Sequence, residues 1–423
     1  MAFLFPSRSL TQPRIPGAIQ FATLNGMEAM VRGMLISVMP LVVHDAMGTT
    51  VGASRVYFIV GFVSLAWGLM VPFVNRKVPR QWLYTGGLAL YLCGTALAMV
   101  GSPVAVTLAL GVTAMATATC FVCFNAYVLD YVDRADLGRN QSTVMFFSAV
   151  PWAVGPMAGV WLHSLWKPAP FLLAGTFALA LLAVFLSLGL GNGKSIARAG
   201  RAGLNPLAYI GRFMRQPRLV AGWLFAVIRS TGWWVYVVYL PYFCIEQAPA
   251  DGSGFTDPEF AKLVGGIALS FTNVLLLSAP LVLRMVRRGS VPVAVRIAFA
   301  LCAIFFLLAF MLSPWPWATV ACLVGASIFL VALDVAGGLP FLMSVKPSQR
   351  TEMSAIYSSF RDVSSIVTPG MAWAVLALAP TAAIFGMTGT LMVGAYAIAR
   401  RLHPRLGTLR PSAGGTSRET ARP

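Results

Sequence analysis

The chain has 423 residues, 58% of them hydrophobic and only 10% charged, with a formal net charge of +18 and a mean hydropathy of +0.77. A soluble domain carries about a quarter charged residues, so this composition excludes a soluble globular protein and describes a polytopic membrane protein. The positive charge would suit nucleic acid only if it were clustered, and no basic-aromatic RNA motif or zinc spacing accompanies it.

The opening stretch MAFLFPSRSLTQPRIPG has an apolar start too short for a secretory signal and no small-residue cleavage site. A bilayer span needs about 20 apolar residues, and the first is predicted at 18–43. It contains NGMEAMVRGM, with Glu28 and Arg32 one helical turn apart and Met27, Met30 and Met34 along one face. Spans 2 and 3, at 53–74 and 82–101, flank a basic loop with Arg76, Lys77 and Arg80. Span 4, at 103–130, carries Cys120, Cys123 and Asn125 and ends at Asp130, with Asp133 and Asp136 beyond it. Span 5, at 142–163, contains AVGPMAGVW, in which Gly155 and Gly159 form a small-xxx-small pair around Pro156. Span 6, at 168–190, closes the first set.

A basic, polar linker is predicted at 191–218. Span 7, at 219–244, reads RSTGWWVYVVYLPYF in its second half and contains Arg229, Trp233, Tyr236, Tyr239 and Tyr242. Span 8, at 260–283, is followed by Arg284, Arg287 and Arg288. Spans 9 and 10 fall at 291–312 and 315–343, the latter with Asp334. Span 11, at 353–378, holds Arg361, Asp362 and Pro369, and span 12, at 381–400, precedes a basic tail. The reading is an all-α protein of twelve spans: a six-helix bundle at 1–190, a linker at 191–218, a second bundle at 219–400 and a tail at 401–423.

With the N-terminus assigned to the cytoplasm, 24 of the 31 Lys and Arg residues fall on that side, two (Lys167 and Lys262) on the other, and five within segments or at their edges. This is the positive-inside pattern, and it assigns both tails to the cytoplasm. The +18 is therefore topology, and no nucleic-acid partner is expected. The halves also repeat. R-x-V-x-R occurs at 76–80 and again at 284–288, the prolines Pro156 and Pro369 lie 213 positions apart, and Glu28 and Arg229 each precede a proline by twelve.

Taken together, the twelve spans, the basic central linker and the repeated 2–3 and 8–9 loops resemble the major facilitator superfamily of secondary transporters. AVGPMAGVW is similar to the Gly-Pro motif of its proton-coupled antiporters. The loop GLMVPFVNRKVPRQW is a degenerate relative of the family's loop motif, with Asn75 where Asp is usual and Val78-Pro79 where Gly-Arg would stand. Span 4 lacks the Arg that the family's drug antiporters carry there. The resemblance implies two six-helix bundles around a central cavity lined by spans 1, 4, 7 and 10, with alternating access by rocking. It also makes Gly155, Pro156 and Pro369 candidates for gating, with Arg76, Arg80, Arg284 and Arg288 in the loops.

Charges in hydrocarbon are costly and mark pathways. Glu28, Arg229, Asp334 and Arg361 lie eight to ten residues from the cytoplasmic end of their segments, roughly 12–15 Å deep at 1.5 Å per residue. That is near the middle of a core about 30 Å thick. These four are expected at one site, with Glu28 first and Asp334 second as proton carriers, because a low-dielectric cavity favours a neutral carboxyl group. Arg32, Arg229, Arg361 and Asp362, with Asn125, Trp233 and Tyr236, are the candidate solute contacts. The structural alternative is a set of fixed ion pairs, Glu28 with Arg32 and Arg229 with Asp334. Asp130 is expected to pair with the 2–3 loop as an inner gate, while Tyr242 suits an outer aromatic belt.

Cys120 and Cys123 with the span-1 methionines raise a Cu(I) site, but the 19 methionines are scattered through many spans, and neither a metal nor a cofactor is expected. The six cysteines lie in or beside apolar segments, so no disulfide framework is expected. No Walker motif occurs. The three histidines, His44, His163 and His403, are spread over a loop, a span end and the tail, which argues against an enzyme. The sequence therefore reads as a monomeric, proton-coupled transporter of a small organic solute in a bacterial inner membrane. A uniporter of the same fold, or a transporter of a metal ion or siderophore, is the alternative.

Overall fold

The computed structural model describes residues 18–132, 137–190, 206–247, 255, 257–278, 281–282, 284, 290–345, 353 and 356–401. These are helical throughout, with no strand among the described residues. In the first half lie α1 (Ala18–Met47), α2 (Thr50–Lys77), α3 (Arg80–Val100), α4 (Pro103–Tyr131), α5 (Leu137–Leu165) and α6 (Ala169–Ser187). After them come α7 (Pro206–Met214), α8 (Pro217–Trp234), a π-helical turn (Val235–Tyr239), α9 (Leu240–Glu246) and α10 (Pro258–Leu275). The last are α11 (Val291–Met311), α12 (Pro316–Ala336), α13 (Leu339–Ser344), α14 (Phe360–Leu376) and α15 (Ala383–Ala399).

Ten helices among the described residues are long and apolar enough to cross a bilayer, and α15 is apolar but shorter. The ten match predicted spans 1 to 10 in order, α15 matches span 12, and α14, of 17 residues, matches span 11. Prolines set several starts: Pro103, Pro217, Pro258 and Pro316 are each the first residue of a helix, where a missing N–H costs nothing. Tight turns between spans use local caps. Thr49 Oγ1 accepts from Gly52 N at 3.1 Å, and Gly101 ends α3 at φ 73°, a conformation that favours glycine.

Three spans depart from a plain α-helix. In span 7, Pro241 has no N–H and its ring crowds the carbonyl four residues back. The chain answers with a wider turn just before it, in which Leu240 N–H bonds Val235 O. Span 10 breaks at Gly337–Gly338, between α12 and α13. Span 11 turns at Ser359 before α14 begins.

By packing, the chain forms two compact units. Unit one comprises the described residues of 1–203, 234–274 and 365–384; unit two comprises those of 204–233, 275–364 and 385–423. Span 7 thus changes unit between Trp233 and Trp234, just ahead of its π turn. In unit one, α1 runs closely along α5. A Cβ on Gly33 would stand 2.6 Å from Pro151 O, and one on Gly155 would stand 2.8 Å from the Gly33 carbonyl carbon. Ser37 Oγ bonds Pro156 O at 2.9 Å across the same seam. Small residues admit this approach because backbone meets backbone. Gly155→Leu is therefore expected to destabilise by about 1–3 kcal/mol through overpacking, read as a lower melting temperature in detergent. Gly111→Leu, whose Cβ meets nothing within 4 Å, should leave the melting temperature unchanged.

Candidate functional site

Within unit one, Glu28 is only 3% exposed. Its Oε1 has no hydrogen-bond partner, and Arg32 Nη1 lies 3.9 Å from it along α1. The Arg32 guanidinium also sits 5.4 Å from the centre of the Trp152 ring of α5, a cation–π contact. The Tyr91 hydroxyl of α3 is close to the Glu28 carboxylate. It lies 2.9 Å from Thr117 Oγ1 of α4, and either of those two hydroxyls can be the donor. Thr117 Oγ1 is in turn 3.0 Å from Thr113 O. Hydroxyls of α3 and α4 thus lie on one side of Glu28, and Arg32 with the Trp152 ring of α5 lies a turn along.

Within unit two, Arg229 Nε of α8 lies 3.0 Å from Asp334 Oδ1 of α12, and Trp233 Nε1 donates to Asp334 Oδ2 at 3.0 Å. Arg229 Nη1 also reaches Leu333 O at 3.4 Å. The Arg229 and Arg361 guanidinium carbons stand 5.3 and 5.7 Å from the Phe360 ring centre. Ser230 and Ser364 hydroxyls meet at 2.7 Å, joining α8 to α14. Arg229 and Arg361 therefore converge on Phe360, with Asp334 paired to Arg229, while Glu28 belongs to unit one with Arg32. Arg361 and Asp362 stand in the first turn of α14, after the turn at Ser359, where an acidic residue suits the positive helix end.

The other candidates are placed as follows. Asn125 is exposed, its Nδ2 bonded to Phe121 O of its own helix. Tyr236 is fully buried. Tyr242, expected at an aromatic belt, is also fully buried and donates to Pro40 O at 3.0 Å. A belt residue faces lipid; this one spends its hydroxyl on the carbonyl of a proline in α1, inside unit one. Arg80 is 3% exposed and forms an ion pair with Asp130 between α3 and α4, with its guanidinium 5.1 Å from the Tyr127 ring centre. Pro156 and Pro369 lie inside α5 and α14, Arg76 falls in the last turn of α2, and Arg284 is exposed. Arg288, Arg287, Asp133, Asp136 and His403 lie outside the described residues.

Cys120 and Cys123 are buried. Among the described residues no three His, Cys, Asp or Glu side chains gather as a metal site would require.

Sequence reading passed over a second set of polar contacts, at the far end of unit one. Glu246 accepts from Thr50 Oγ1 of α2 and from Thr381 Oγ1 at 2.7 Å. Lys262 Nζ lies 3.8 Å from Asp45 and 3.0 Å from Glu259, and His44 Nδ1 is 4.0 Å from Asp45. His163, Asp45 and Lys167 line one cavity of about 240 Å³. Two of the histidines that look scattered along the chain, His44 and His163, thus both lie beside Asp45. The available signal was that Lys167 and Lys262 are the only cations assigned to that side.

The Major Facilitator Superfamily profile matches residues 21–369. No curated protein matches the chain in sequence. Among solved structures, the chain is similar to the nucleoside transporter NupG, with a TM-score of 0.69 at 14% identity, covering 91% of this chain and 99% of that one. It is equally similar in fold to a POT family transporter in complex with 5-aminolevulinic acid, with a TM-score of 0.69 at 11% identity, covering 95% and 99%.

Proposed function

Because the chain belongs to the Major Facilitator Superfamily, we propose that it is a secondary transporter that couples the movement of a small organic solute to a proton by alternating access, with Glu28 as the proton carrier. It works as a monomer in a bacterial inner membrane, both tails in the cytoplasm, and the Arg80–Asp130 pair acts at its inner gate.

The observation that supports this assignment is the character of the two carboxylates' partners. Asp334 faces Arg229 and the Trp233 indole N–H, and both of these only donate. Neither offers an acceptor for the added proton of a neutral Asp334. Glu28 faces hydroxyls, which donate and accept. Ionised, Glu28 accepts from Tyr91, which accepts from Thr117. Neutral, it donates to Tyr91, which donates to Thr117, whose own hydrogen goes to Thr113 O. Reversing two hydrogen bonds and turning the Thr117 hydroxyl from Tyr91 to Thr113 O accommodates either state without moving a heavy atom. Asp334 and Arg229 instead form a fixed pair that positions Trp233 toward the solute.

Residues of both signs suit a solute that carries both an amino and an acidic group. The test begins with a thermal-shift panel of amino acids, 5-aminolevulinic acid, nucleosides, organic anions and metal ions at two pH values. The stabilising solute is then followed into proteoliposomes with and without an imposed pH gradient. Gradient-dependent flux is expected; flux that ignores the gradient would make the protein a uniporter.

A further inference from the structure

The cavity at the far end of unit one has no part in the transport proposal. Its wall is built where spans end: Asp45 near the end of α1, Met99 near that of α3, His163 near that of α5, Lys167 in the turn that follows, and Phe171 in the first turn of α6. It therefore lies at the level of a bilayer boundary, at the opposite end of α3 from Arg80. Its volume of about 240 Å³ is room for about eight waters at about 30 Å³ each, or for one small polar headgroup of similar bulk.

His163 gives this cavity its chemistry. The residue is 5% exposed, and its Nδ1 lies 3.1 Å from Lys167 O. A carbonyl only accepts, so Nδ1 carries the proton, and the neutral ring then holds Nε2 as an acceptor. That Nε2 is buried and has no hydrogen-bond partner. Asp45 lines the same cavity with a second acceptor. His44 Nδ1 and Lys262 Nζ stand 4.0 and 3.8 Å from its carboxylate, both longer than a hydrogen bond, and Lys262 Nζ donates instead to Glu259 at 3.0 Å. Two acceptors therefore call for a donor that carries several N–H groups. Lys167, also in the wall and exposed, supplies a cation for an anionic group on the same ligand.

We propose that this cavity binds a zwitterion with a primary ammonium, the headgroup chemistry of phosphatidylethanolamine, with the ammonium between Asp45 and His163 and the phosphate on Lys167. A primary ammonium has three N–H donors, enough for a carboxylate and an imidazole together. The surroundings suit the lipid over a free headgroup molecule. Val100, next to Met99, and Trp166, next to Lys167, are 65% and 58% exposed, an apolar surface for acyl chains and a tryptophan at the interface.

The test titrates the full chain in detergent with dihexanoyl phosphatidylethanolamine, its N,N-dimethyl form and dihexanoyl phosphatidylcholine, and reads affinity from the rise in melting temperature. Choline has no N–H, and each charge-assisted hydrogen bond is worth roughly tenfold or more. The ethanolamine lipid is therefore expected to bind at least about tenfold more tightly than the choline lipid, with the dimethyl form between them. Asp45→Asn, at an exposed position, should bring the ethanolamine lipid down to the level of the choline lipid. Lys167→Gln should weaken both alike and keep their ratio, because the phosphate is common to both. Free phosphoethanolamine separates the two sources of this chemistry: an equal rise assigns the site to a soluble zwitterion, and a rise with the lipid alone assigns it to the bilayer. Equal affinity for the ethanolamine and choline lipids, no rise with either, or an ethanolamine excess that survives Asp45→Asn would each overturn the proposal.

Discussion

Glu28→Gln is expected to abolish the pH-driven component of transport while preserving solute counterflow. Glutamine mimics the neutral carboxyl group in size and hydrogen bonding but carries no exchangeable charge, so the carrier is held in its protonated-like state. Counterflow, in which labelled solute exchanges against unlabelled solute without net proton movement, then continues. Asp334→Asn has the opposite expectation. It leaves Arg229 beside an amide and weakens the Trp233 contact at 3.0 Å, so counterflow and gradient-driven flux fall together. Tyr91→Phe removes the first hydroxyl of the chain from Glu28 and is expected to slow gradient-driven flux without lowering solute affinity. If Glu28→Gln keeps its full response to the gradient, Glu28 is not the carrier. If it loses counterflow as well, the residue holds solute rather than protons.

The second large effect concerns Arg80 and Asp130, whose side chains are only 4% and 14% exposed. Removing one member of a buried pair leaves the other charge uncompensated, at a cost of about 3–5 kcal/mol. Arg80→Met is expected to lower the melting temperature sharply, and Asp130→Leu to do the same. The double variant should recover most of the loss, because an apolar pair of similar volume replaces an ion pair at little net cost. Strictly additive losses in this double-mutant cycle would mean that the two residues contribute through other neighbours. The same three variants test the gating assignment. A gate predicts that the double variant, though refolded, transports at an altered rate.

Much of the fold is legible in the sequence because a membrane span is a local property: an apolar run of the right length, closed by Gly, Pro or a cap. Pro103, Pro217, Pro258 and Pro316 stand at predicted edges and start helices. The internal departures are legible only in part. Pro241 signals a disturbed helix, but not that the wide turn precedes it at Val235–Tyr239. The break at Ser359, which puts Arg361 near a helix start, rests on residues with no strong breaking tendency. At the site, Glu28 and Arg32 are visible as an i, i+4 pair. Arg229 and Asp334 are visible as rare charges in apolar segments. Tyr91, Thr117 and Trp152 are not, since such residues are ordinary in spans and gain meaning only when packing gathers them around the Glu28–Arg32 pair. Glu246 was invisible for a different reason. It lies at a span end, where a charge is unremarkable, and its partners Thr50 and Thr381 come from distant segments.

The wide turn before Pro241 sets the facing of every residue after it. A π turn is, in register, one residue inserted into an α-helix, and each residue advances the helix by about 100°. Everything after Tyr239 is therefore rotated by that amount relative to an uninterrupted span 7. Deleting one of Val235 to Val238 would turn everything beyond it by about 100°, swinging Tyr242 off the Pro40 carbonyl and Glu246 off its two threonines. One residue of register in this turn thus governs both contacts at once.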